Sequence, residues 1–141
     1  MPTGAESSIQ VFLQDKSYKI TKKEVRRIVK RIFKLEKFSP INVNIIFTDN
    51  KQIRKLKKEY FGIDSVTDVI SFNMDDDLLG EIYISLPQAR SQANELGISI
   101  KTEVKRLIIH GLLHLFGYDH ENADDNNKMF EKQERYLKMV G

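Results

Sequence analysis

All three histidines of this 141-residue chain fall within eleven residues, His110-Gly111-Leu112-Leu113-His114-Leu115-Phe116-Gly117-Tyr118-Asp119-His120. That segment leaves the backbone around it little freedom. Val104, Leu107, Ile108, Leu112, Leu115 and Phe116 recur at helical spacing, which predicts a helix over 101–116. On a helix, His110 and His114 stack one turn apart on one face, so both imidazoles can reach one ion. Gly117 has no Cβ; it can take a left-handed conformation, end the helix and turn the chain back. His120 can then approach the same ion from another direction. Three neutral nitrogens with a fourth position left to water form a typical hydrolytic zinc shell. The expectation is one Zn2+ per chain, although nickel, copper or iron also suits imidazole. With no cysteine in the chain, neither thiolate ligands nor a disulfide framework are available.

The rest of the pattern surrounds that helix with a small sheet. Ile9, Val11 and Leu13 alternate along a strand at 8–13. Thr21 and Glu24 form a capping-box pattern, and Val25, Ile28, Val29, Ile32 and Phe33 then mark the buried side of a helix over 21–37. Its other face is Lys22, Lys23, Arg26, Arg27, Lys30, Arg31 and Lys34. After Pro40, residues 41–47 read as a second strand. Asp49 and Gln52 cap a second helix with Ile53, Leu56 and Tyr60 inward and Gly62 as its stop. Residues 67–72 and 79–85 read as two more strands, joined by a connection short enough for a hairpin. Ser85 and Gln88 cap a helix stopped by Gly97, and Asn122 caps a last helix to about Met139. The order βαβαββααα predicts an α+β domain over 1–141: a small mixed four-stranded sheet, about five helices, and the histidine helix late in the chain. No internal repeat or Pro-rich linker divides it.

At 40% hydrophobic and 30% charged residues, the chain can bury a core and is not a disordered one. The N-terminus lacks the basic and apolar regions of a secretory signal, and no stretch reaches the length of a membrane span. The default reading is a cytoplasmic protein with no membrane partner. Charge is divided unevenly: residues 1–60 hold 15 Lys/Arg and 6 Asp/Glu, net +9, and residues 61–141 hold 8 and 14, net −6. A polyanion would dock on the first half. Arg27, Lys30 and Arg31, and Lys51, Arg54, Lys55, Lys57 and Lys58, are the candidate phosphate contacts; a solvated basic face is the plain alternative.

The histidine spacing matches the zincin peptidase pattern H-E-x-x-H-x-x-G-x-x-H except at one position: Gly111 stands where that pattern carries its general-base Glu. Peptide hydrolysis by the usual route is thereby disfavoured, while metal activation of water is not. HGLLHLFGYDH resembles more closely the signature of the YbeY endoribonuclease family, rRNA maturation factors with a common H-G-x-L-H-L-x-G-Y-D-H. Thr67-Asp68-Val69-Ile70-Ser71-Phe72 and Leu79-Gly80-Glu81-Ile82-Tyr83-Ile84 resemble that family's T-[DN]-V-L-S-F and L-G-D-I-x-I strands. The resemblance implies a zincin-like fold and a cytoplasmic, metal-dependent single-strand endoribonuclease. Its work would be ribosomal RNA processing at the small subunit, and ribosome quality control. One departure concerns activity: within Tyr60-Phe61-Gly62 the family typically carries Arg where this chain has Phe61. A cation there would hold a phosphate or its transition-state charge, and Arg54, Lys58 or Arg90 are the candidates to replace it. Val66 and Asn73 also stand where the family has prolines.

Three functions follow for comparison: an endoribonuclease, a metallopeptidase of related fold, and a noncatalytic ribosome-associated factor with a structural metal. Asp119 is the candidate catalytic carboxylate, able to accept a ligand N–H or orient water, and equally able to form the turn. Asp75, Asp76 and Asp77 read as a solvated acidic loop or a second cation site. Glu103 reads most simply as a helix-start charge. The oligomeric state is left open.

Overall fold

The structure, a computed structural model, describes residues 9–38, 42–74, 78–118 and 123–140, with the backbone alone at 78, 79 and 123. The elements are β1 (Ile9–Leu13), α1 (Lys22–Leu35), β2 (Asn42–Thr48), α2 (Asn50–Phe61), β3 (Val69–Asn73), β4 (Leu78–Ser85), α3 (Leu86–Leu96), α4 (Ile100–Leu115) and α5 (Ala123–Val140). The order is the expected one, and the fold is α+β. The sheet runs β1-β2-β4-β3. β1, β2 and β4 are parallel, and β3 pairs antiparallel with β4 at one edge.

The two sheet faces follow from strand alternation. Val11, Ile45 and Ile82 are register partners, as are Phe47 and Ile84. These residues face one core with Val25, Ile28 and Ile32 of α1, and with Ile108, Leu112, Met129 and Tyr136 of α4 and α5. On the other face Ile70 packs with Ile53 and Leu56 of α2, flanked by Phe72 and Tyr83. β2 carries the run Ile45-Ile46-Phe47, all buried, as a strand covered on both sides requires. α1 lies towards the β1 edge, packed on β1, α4 and α5, whereas α4 packs on β3 and β4.

Helix starts fall where the caps put them. Thr21 Oγ1 accepts from Glu24 N at 3.1 Å, Asp49 Oδ1 from Gln52 N at 2.8 Å, and Ser85 Oγ from Gln88 N at 3.2 Å. Several boundaries differ from the sequence reading by one or two residues, among them the end of β2 at Thr48, the end of β3 at Asn73 and the start of β4 at Leu78. α1 stops at Leu35, because Glu36 caps it and Lys37 turns to φ 54°. α4 begins one residue earlier than expected, with Ser99 as cap. Thr67 and Asp68 precede β3, the Asp68 carboxylate accepting the Val69 N–H at 2.8 Å. The proposed Asn122 cap and the Asp75–Asp77 loop lie outside the described residues.

Candidate active site

From Leu107 to Leu115, α4 is apolar except for its two histidines, as a helix segment through the interior must be. Val104, Leu107, Ile108, Ile109, Leu112, Leu113 and Leu115 are all buried. His110 and His114 are only half-buried. Their rings lie 4.8 Å apart at 72°, and both line one cavity of about 360 Å³. Two imidazoles one turn apart in a cleft are what a metal can share. Among the described residues no group of three potential ligands forms. The third candidate, His120, and the candidate carboxylate Asp119 lie outside them.

A chain of polar contacts fixes the first histidine. His110 Nδ1 is 2.7 Å from Gln133 Oε1, and Gln133 Nε2 donates to Glu134 Oε2 at 3.1 Å. With the amide N–H directed to a carboxylate, its oxygen faces the ring, so His110 Nδ1 is the donor and the tautomer of the ring is fixed. Glu134 is gripped by two Arg106 nitrogens at 2.9 and 3.0 Å. Arg106 also donates to Glu103 at 2.6 Å, and Gln92 Nε2 donates to Glu103 at 2.7 Å. Burial pushes the Glu134 carboxyl upward, but the hydrogen bond from Arg106 leads the opposing effects, and the result lies below its ordinary value. Arg106 is raised, first by that same bond. Glu103 is thus more than a helix-start charge. It is buried, and it joins α3 and α4 to the support beneath His110.

The residue after His110 faces the sheet. A Cβ on Gly111 would lie 2.7 Å from Ile82 Cγ2 and 3.2 Å from Ser71 Oγ. Ser71 Oγ donates to Gly111 O at 3.1 Å, and Asn73 Nδ2 donates to Leu115 O at 3.2 Å. β3 therefore clasps the second half of α4 at close range. The position that holds a general base in zincin peptidases has no room here for a side chain.

Beyond α4 the chain turns as its glycine permits. Gly117 has φ 104°; its N–H reaches His114 O, and that of Tyr118 reaches Leu113 O, both at 3.0 Å. Tyr118 is then anchored from far away in sequence. Its hydroxyl donates to Glu36 Oε1 at 2.8 Å, while Lys132 and the Tyr136 hydroxyl donate to Glu36 Oε2. Glu36, at the end of α1, thus fixes the residue two before His120. Burial raises the Glu36 carboxyl, but the bonds from Tyr136, Lys132 and Tyr118 outweigh it, and the net direction is downward from 4.5. A carboxylate lowered by folding contributes stability that is complete above its unfolded pKa and lost as pH falls through the folded one. Glu36→Gln should therefore cost about 1–3 kcal/mol at neutral pH, the range for disturbing a buried polar partner. Its disadvantage relative to wild type should shrink on acidification below about pH 4.5. Urea unfolding of both proteins at neutral and acid pH measures this; a difference independent of pH would assign the loss to packing alone.

The cavity separates the candidate cations. Its wall consists of Lys57, Phe61 and Ile63 from α2 and the following loop, Thr67 and the β3 residues Val69, Ile70 and Ser71, and the two histidines. Lys57 and Phe61 are themselves i and i+4, so one face of α2 meets one face of α4 across the edge strand. Arg54 and Lys58 do not line it. Arg54 Nε instead pairs with Asp64 Oδ1 at 2.7 Å, a contact that raises Arg54 and lowers Asp64. Arg90 donates to Ser17 O at 2.7 Å. Among the described residues, the cation that lines the cavity with the histidines is Lys57; Arg54, Lys58 and Arg90, singled out from sequence, do not line it. Arg27, Lys30 and Arg31 sit on α1, on the β1 side of the sheet, whereas the cavity opens at the β3 edge. Arg27 is engaged by Glu24 at 2.8 Å and by Val140 O at 2.9 Å. Gln133 and Glu36 were not visible as site residues in the sequence, because both act through partners more than 20 residues away.

Known proteins share this architecture. A protein from Sulfurihydrogenibium sp. (strain YO3AOP1) named endoribonuclease YbeY is 43% identical over 126 residues, covering 84% of this chain and 83% of its own. One of the same name from Aquifex aeolicus (strain VF5) is 36% identical, covering 91% and 89%. A solution structure of a Thermotoga maritima protein superposes with a TM-score of 0.70 at 30% identity, over 94% of this chain and 88% of that one. The model of the family described as endoribonuclease YbeY matches residues 10–141, and with relatives this similar over most of their length the chain belongs to the endoribonuclease YbeY family.

Proposed function

We propose that this protein is a metal-dependent endoribonuclease that cuts single-stranded RNA. The observation that carries the reading is the meeting of His110, His114 and Lys57 in one cavity, in a chain whose relatives are named endoribonucleases. His110, His114 and His120 hold one Zn2+. Bound zinc supplies Lewis-acid polarisation and a nucleophile at neutral pH. Gln133 keeps His110 in the tautomer that presents Nε2. Lys57 supplies positive charge to a phosphate entering the cavity, and as a point charge it gives less geometric control than an arginine fork. Asp119 is the carboxylate next to His120 in sequence that would orient water or carry a proton. The substrate is ribosomal RNA of the small subunit, and the work is its maturation and quality control in the cytoplasm. Among the described residues no helix is long and apolar enough to cross a membrane.

The closed space around Gly111 speaks against a peptidase. Metal-loaded protein incubated with single-stranded RNA should cut it, should stop on chelation and resume with added zinc, and should leave casein intact. RNA left whole by the zinc-loaded protein would favour the noncatalytic ribosome-associated factor, and casein cleavage would favour the peptidase.

A further inference from the structure

We infer that Phe61 is a stacking platform for a base of single-stranded nucleic acid, at the mouth of the cavity that holds His110 and His114. The inference rests on the RNA reading above and adds a substrate subsite to it. Phe61 is the last residue of α2; it is 53% exposed although it lines the cavity. Its ring is held in place from behind. Phe72 stacks against it with centroids 5.9 Å apart and planes 15° from parallel. Phe72 is braced by edge contacts to Tyr60 at 5.1 Å and Tyr83 at 5.9 Å. A ring held this way loses little freedom when a flat partner covers its other face.

The surrounding charge identifies the partner. Lys57 lies one turn before Phe61 and lines the same cavity, and Lys51, Lys55 and Lys58 are exposed along the same helix. A lysine beside an exposed aromatic, on a helix that carries further cations, suits a chain with one phosphate and one flat π face per unit, which is a single nucleic-acid strand. An uncharged apolar peptide would use the ring and leave the lysines without a counter-charge. The cavity, at about 360 Å³, is of the size that accepts a small ligand or one unit of a larger one. Lys57 and the two histidines line the cavity that Phe61 also lines, so a base on Phe61 would bring its strand to them.

The chain has no tryptophan, so Phe61→Trp introduces a single fluorescent reporter at the proposed contact. The full-length protein is titrated with 2′-O-methyl hexauridylate and with a hexamer of equal charge whose central units are abasic. Wild type should bind the base-bearing hexamer on the order of tenfold more tightly, the effect of one stacked base. Phe61→Leu should bring the two affinities together by weakening only the first. Phe61→Trp should keep the preference, and its indole should be quenched by the base-bearing hexamer alone. If wild type and Phe61→Leu treat both hexamers alike and the indole does not respond, the stacking subsite is refuted while RNA binding stands. If no hexamer binds to any of the three proteins, the RNA reading fails with it. Quenching that follows protein concentration instead of RNA would place a second copy of this chain on Phe61 and refute the inference as well.

Discussion

Replacing His114 by alanine is expected to weaken zinc binding by roughly a hundred- to a thousandfold. Apparent binding energies of about 10–16 kcal/mol for a four-ligand zinc leave a few kcal/mol for each ligand. His110→Ala should do the same, since the two rings stand 4.8 Å apart at the same cavity. Gln133→Ala should cost less, about 10–100-fold, because it removes only the group that orients His110. Affinity in wild type should fall below about pH 6, where imidazoles with a reference pKa near 6.5 protonate. Competition against a chromophoric chelator measures all of these. If His114→Ala kept the stoichiometry and affinity of wild type, the metal assignment would be wrong, whatever the effect on RNA cleavage.

Gly80→Ala is expected to be the most destabilising methyl addition in the sheet, at least about 3 kcal/mol. The added Cβ would lie 2.2 Å from Phe72 O and 2.6 Å from Leu115 Cδ2. The first contact is backbone. Asn73 pairs with Gly80, and Phe72 with Glu81 beside it, so moving that carbonyl disturbs the β3–β4 ladder. Against a total stability typically of 5–15 kcal/mol, such a loss threatens folding itself. Gly111→Ala should be milder, about 1–3 kcal/mol, because its tight neighbours are the side chains of Ile82 and Ser71. Urea unfolding ranks the two. A Gly80→Ala protein as stable as wild type would mean that β3 can shift away from β4 at no cost, and that this edge does not hold α4 tightly. Both glycines serve the same end: they let α4 approach the sheet closely enough for Ser71 and Asn73 to reach its carbonyls. Gly111→Glu, which would restore the peptidase motif on paper, should disrupt packing before it supplied a base.

Much of the frame was legible because its causes are local. A cap bond spans three residues, so Thr21, Asp49 and Ser85 announced their helices. The apolar period of 25–33 named the side of α1 that the structure buries. Gly117 had to stop α4, and it does so at φ 104°. The i, i+4 spacing alone required His110 and His114 to share a face, and they line one cavity.

The remainder depends on which distant segments meet, and no local pattern carries that. Five cations of α2 look alike in sequence, yet only Lys57 lines the cavity, since the roll of the helix is set by Ile53 and Leu56 packing under Ile70. Arg54 pairs with Asp64, which follows α2 by three residues, and it does not line the cavity. The basic face of α1 was the strongest charge signal, but strand order puts that helix at the far edge of the sheet from the histidines. Glu36 and Gln133 carry no motif; they matter through Tyr118 and His110 across 82 and 23 residues of chain. Spacing along one element is written in the sequence because the backbone's own geometry enforces it. The partners of a side chain across elements are decided only when the sheet order and the helix packing bring their surfaces together.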